Sequence, residues 1–119
     1  MDELVNGVSV WRLPEAGPLL GNGQSALDLI GESYGRGLDM LTVPVSRLDP
    51  EFFRLASGLA GEFIQKLQNY GLRLAIVGDI SDRIEESAPL RDFVRETNRR
   101  GHHLFVASEA EFQQRLKPA

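Results

Sequence analysis

The chain contains no cysteine. That excludes disulfides, thiolate nucleophiles, cysteine zinc sites and iron–sulfur clusters. Lysine is scarce: Lys66 and Lys117 are the only two among 13 cations, and the rest are arginine. This reads as the usage of a GC-rich bacterial genome or, more sharply, as a supply of guanidinium forks for carboxylate or phosphate. No apolar run reaches the roughly 18 residues of a membrane span. Asp2-Glu3 is acidic where a secretion signal carries basic charge. The expectation is a soluble cytoplasmic protein with no membrane partner. A basic surplus is also missing. The formal net charge is −4, which argues against a phosphate-driven grip on nucleic acid.

What is present fits one ordinary globular domain. The 119 residues are 42% hydrophobic and 25% charged, and a chain of this length can bury a real core without covalent staples. Val8–Leu13 is rich in β-formers and predicts a strand, followed by breaks at Pro14 and Gly17-Pro18 and a short extended piece at Leu19-Leu20. Ala26, Leu27, Ile30 and Tyr34 recur at helical spacing within Gln24–Arg36. Leu38–Val45 predicts a second strand, with Pro44 limiting its ladder. Asp49-Pro50-Glu51 is a helix start, and Phe52, Ala56, Leu59, Phe63 and Leu67 form a stripe after it. Gly58 and Gly61 interrupt that stripe. Either the helix breaks near Ser57-Gly58, or these glycines admit another backbone.

Leu72–Val77 is the clearest strand, uniformly apolar from Leu74, as when both faces are covered. Ser81–Ser87 is polar and acidic and reads as a loop or a loose turn. Ala88–Arg100 predicts a helix with Leu90, Phe93, Val94 and Thr97 inward and Gly101 at its end. His102–Ala107 predicts a strand, and Ser108 with Glu111 matches a capping box for a last helix. Successive β-α-β steps imply parallel strands with right-handed crossovers. The fold class is therefore α/β, with one largely parallel sheet of four or five strands and about four helices.

The stretch Phe52-Phe53-Arg54-Leu55-Ala56-Ser57-Gly58-Leu59-Ala60-Gly61-Glu62-Phe63-Ile64-Gln65-Lys66 resembles the signature of an uncharacterised bacterial family, known as a domain of unknown function. The likeness continues through Asn69-Tyr70, Leu74-Ala75-Ile76-Val77-Gly78-Asp79, Leu90-Arg91-Asp92-Phe93 and Glu96-Thr97-Asn98. It implies no activity. A looser likeness concerns architecture. A strand, a helix opening with Ser57-Gly58-Leu59 and a strand ending in Val77-Gly78 are similar to the STAS domain of anti-sigma-factor antagonists. That resemblance implies a partner surface around Ser57 and Gly58, with a serine that can be phosphorylated. The chain departs from that pattern in the Phe52-Phe53 segment between Asp49 and Ser57.

Motif by motif, the chemistry is sparse. Gly21-Asn22-Gly23-Gln24-Ser25-Ala26 fits a relaxed dinucleotide fingerprint, but Pro14, Gly17 and Pro18 separate it from its strand, so it reads as a turn and helix start. His102 and His103 are adjacent, and on a strand they would point to opposite faces and could not share an ion. No nucleophile motif occurs, and no cofactor is implied. The remaining argument is topological: ligands of open α/β sheets bind beyond the C-terminal strand ends. That gathers Arg47, Asp79, Ser81 and Ser108, with Asp49 and Ser108 starting helices that favour anions. Two functions follow as expectations. One is a non-enzymatic regulatory or protein-interaction domain, self-associating as a homodimer. The other is a small-molecule-binding protein or small enzyme using the strand-end cluster.

Overall fold

Asn6-Gly7 folds the start of the chain back on itself. Both residues have positive φ, 50° and 80°, which is the backbone of the two-residue hairpin turn that matches strand twist. In the computed structural model, which describes residues 2–118, strand β1 (Asp2–Val5) therefore pairs antiparallel with β2 (Val8–Arg12). The sequence expectation lacked β1. Then follow α1 (Gly23–Ser33), β3 (Met40–Pro44), α2 (Leu59–Asn69), β4 (Arg73–Val77), α3 (Ser81–Glu86), α4 (Ala88–Arg100), β5 (Leu104–Val106) and α5 (Glu109–Arg115). The sheet has five strands in chain order, with β2 to β5 parallel. The α/β class and the largely parallel sheet stand as expected.

Each strand splits its side chains between two cores. Trp11, Leu41, Val43, Leu74, Ile76 and Phe105 face α1, α2 and α4. Val8, Val10, Met40, Ala75, Leu104 and Val106 face α5, through Phe112 and Leu116. Three crossovers thus lie on one side, as right-handed connections between strands in sequential order require. The Leu19-Leu20 piece makes one parallel bridge, Leu20 to Leu48.

Local expectations need three corrections. The stripe from Phe52 is not one helix. Residues 50–53 and 55–57 are 3₁₀ turns, and Gly58 at φ 80° ends them before α2 begins. Of the alternatives for Gly58 and Gly61, the break is realised, since nothing lies within 4 Å of a Cβ placed on either. The tighter 3₁₀ winding buries both Phe52 and Phe53 and leaves Ala56 exposed. Second, Ser81–Glu86 is α3 instead of a loop: Asp79 accepts the Ser81 N–H at 2.9 Å and starts it. Third, His102 and His103 precede β5 and do not belong to it, so the alternation expected of them does not apply.

Candidate functional site

The C-terminal strand ends hold the predicted residues, but not as one cluster. Asp79 and Ser81, after β4, line a pocket of about 230 Å³ with Asn98, Ala107 and Glu111. Ser108 stands next to it and caps α5, accepting the Glu111 N–H at 3.2 Å. Glu111 returns its carboxylate to Ala107 N–H at 2.7 Å, one residue before the expected partner. Asn98 shapes the floor by binding both backbone groups of Phe105, at 2.8 and 3.0 Å. The backbone and hydroxyl of Ser81 hold the Asp79 carboxyl below its ordinary pKa.

Arg47 does not join this pocket. Its side chain is buried in the loop after β2, where Nε donates to Pro18 O at 3.0 Å and one terminal nitrogen to Pro14 O and Ala16 O at 2.8 and 3.2 Å. A guanidinium spent on three carbonyls is a loop staple. Asp49 starts the 50–53 turn by accepting Glu51 N–H at 2.9 Å. Ser57 is half-buried just ahead of α2: its hydroxyl donates to Glu51 O at 2.8 Å and accepts Leu59 N–H at 3.2 Å. Gly58 beside it is exposed.

The global topology weakens the reason for gathering these groups. Ligand crevices of open α/β sheets form where the strand order reverses and adjacent crossovers part to opposite faces. This sheet runs β1 to β5 without reversal. The glycine-rich turn before α1 is likewise filled from within the chain. Asn22 and Ser25 cap each other's backbone, and Glu62 of α2 sets its carboxylate on Gly23 N–H at 2.5 Å. The helix N-terminus that a pyrophosphate would need is already occupied by an in-chain anion.

The opposite end of the sheet carries features that the sequence reading missed. Between the C-terminal ends of α2 and α4 lies a groove of about 440 Å³, with Ile64, Phe93, Gln68, Thr97, Arg100 and the two histidines around it. His103 is 8% exposed. Its Nδ1 accepts Leu74 N–H at 3.0 Å, so Nε2 carries the proton toward Gln68 Oε1, also at 3.0 Å. Burial, then the His102 and Arg73 charges, push its pKa down to about 4. The His102 ring stands edge-on to it, centroids 4.7 Å apart. Both His103 nitrogens are spent, and among the described residues no group of three or more His, Asp and Glu side chains could hold a metal. Arg73 is the second buried guanidinium, donating to His102 O, Lys117 O and Gly101 O at 2.9, 2.9 and 3.2 Å. A charged residue opening an otherwise apolar strand is the one signal the sequence offered for it.

Among the described residues no helix is long and apolar enough to cross a membrane. No match was found among curated proteins or among solved structures. One family profile spans nearly the whole chain, over residues 5–116, and it covers both ends of the sheet just described. The chain belongs to that family, a domain of unknown function designated DUF4180.

Proposed function

We propose that this domain is a non-enzymatic, STAS-like regulatory or protein-interaction module of the bacterial cytoplasm, and that it self-associates as a homodimer. The observation that carries the reading is Ser57. Its hydroxyl stands at the mouth of α2, half-exposed, beside an exposed Gly58 with open space around it. A phosphate there would meet the positive end of an 11-residue helix and lie three residues from Arg54, now paired with Glu51 at 2.6 Å. The single sheet with its three crossovers wound on one side and a short C-terminal helix on the other supports the same reading. The test compares Ser57→Asp with Ser57→Ala by light scattering on a sizing column. The phosphoserine form predicts a changed mass for Ser57→Asp and an unchanged one for Ser57→Ala. An identical mass and identical partner binding for both variants would remove it.

A second reading, a small-molecule or enzymatic site at the strand ends, rests on the pocket that joins Asp79 and Ser81 to Glu111. A native mass spectrum showing a co-purified small molecule that Asp79→Asn abolishes would favour it. A spectrum of bare protein for both would count against it.

A further inference from the structure

The groove at the N-terminal ends of β4 and β5 holds a set of groups that the proposed interaction surface does not use. We infer that it binds a small amphiphilic carboxylate, an aliphatic or aromatic acid. Ile64 and Phe93 supply the apolar floor, each packed against the main core on one side and partly exposed on the other. Two side chains around that floor, Gln68 and Arg100, carry N–H donors left over, beside the Thr97 hydroxyl and the His102 ring, which can both donate and accept. Gln68 spends its oxygen on His103, and its NH₂ makes no bond to a described residue. Arg100 engages Glu96 only through Nε, at 3.3 Å, and its two terminal NH₂ groups make no bond to a described residue. The one carboxylate at the groove is already taken: Arg99 grips Glu96 with a fork at 2.6 and 3.0 Å.

Helix polarity would oppose an anion here, because α2 and α4 both end at the groove. Arg73 offsets it. Its buried charge lies on the carbonyls of Gly101 and His102, directly after α4, and it is in ion-pair contact with no carboxylate among the described residues. A neighbouring depression of about 380 Å³ shares Arg100 and His102 with the groove and adds Arg73 and Lys117 against Asp39 alone. In this acidic chain the two depressions together carry Arg73, Arg100 and Lys117 against Asp39 and Glu96. Unpartnered N–H donors of Gln68 and Arg100 on an apolar floor, backed by a buried positive charge, suit a partner with an apolar body and a carboxylate head.

The test is a titration of the full chain with sodium octanoate, read by the imidazole C–H signals of His102 and His103 and the ring signals of Phe93. Octanamide, of the same length without the charge, is titrated in parallel. The expected result is a saturating shift with octanoate, binding of octanamide weaker by about tenfold, and a similar loss for octanoate with Arg100→Met. Arg100 is largely exposed at the end of α4, so the variant keeps the fold, which an unchanged amide spectrum elsewhere verifies. A shift that never saturates, equal affinity for octanamide, or an Arg100→Met variant that binds octanoate as well as the parent would overturn the inference. None of these outcomes depends on Ser57.

Discussion

His103 shows how one side chain links the fold to pH. In the folded chain its ring is neutral and accepts a backbone N–H, with its pKa pushed down to about 4 from an ordinary 6.5. Unfolded, it takes up a proton near the ordinary value. The unfolded state therefore binds more protons between these two pH values, and stability falls as pH drops through that window. Above 6.5 the stability is fully present, and below about 4 no more is lost through this group. The drop amounts to up to about 3 kcal/mol. Urea unfolding at pH 7, 5.5 and 4 should show it in the parent. His103→Gln, which carries no titrating group, should lose most of that slope, and an equal slope in both would refute the assignment. Gly58 and Gly61 make a contrasting pair. Gly61 lies in the first turn of α2 with open space around it, so Gly61→Ala should stabilise by about 0.4–1 kcal/mol. Gly58 holds φ 80°, so Gly58→Ala should destabilise by about 1–2 kcal/mol. Thermal melts of both variants check the opposite signs. A stabilised Gly61→Ala that also loses self-association would mark the exposed face of α2 as a contact surface.

At the scale of elements, the buried arginines act as fasteners for irregular chain. Arg47 ties Pro14, Ala16 and Pro18 to the end of β3, and a Cβ on Gly17 would sit 2.6 Å from its guanidinium carbon. Removing it leaves three carbonyls with poor partners. Arg47→Met should cost about 2–4 kcal/mol, and amide exchange should speed up first at Gly17, Leu19 and Leu20 while β3 and β4 stay protected. Uniform acceleration would show that the loop is not a separate unit. The sequence made regular elements legible and hid such fasteners. Leu74–Val77 and Ala88–Arg100 carry their own period, so β4 and α4 are readable directly. Val5-Asn6-Gly7-Val8 holds the strongest short hairpin signal there is, yet β1 was missed because acidic Asp2 and Glu3 obscure its alternation. Their charges are paired with distant residues, Asp2 with Arg36 and Glu3 with Arg12. The 49–58 segment misleads for a related reason: a 3₁₀ winding and a 3.6-residue winding share the Phe52 position and diverge at Phe53 and Ala56. The candidate-site residues were legible as caps and turn residues. The separation of Arg47 from Asp79 and Ser81 was not, because it depends on the loop that Arg47 anchors.

The whole molecule is asymmetric about its sheet. Three crossover helices cover one face, and α5, with seven residues, is the one helix on the other among the described residues. A helix that short has no stability of its own in water, so it persists through what holds it. Phe112 is fully buried against β2 and β5. The Arg12 guanidinium sits 5.9 Å from its ring centroid while pairing with Glu109 at 2.6 Å, which fixes the first turn. At the other end Asn6, in the hairpin turn, donates to Gln113 O at 2.9 Å. The N-terminal hairpin and the C-terminal helix thus stabilise each other across 107 residues of sequence. Phe112→Ala removes the centre of this arrangement. It should cost about 3–5 kcal/mol, a large share of the roughly 5–15 kcal/mol of an ordinary domain. The damage should concentrate on one face. Far-UV circular dichroism should stay close to the parent, because α1, α2 and α4 keep their core, while the dye ANS should bind the uncovered valines and Met40. Amide protection should fall in β1 and β2 before β4. A cost below about 1 kcal/mol, or a loss of protection spread evenly over all five strands, would mean that the second core does not depend on α5 in this way.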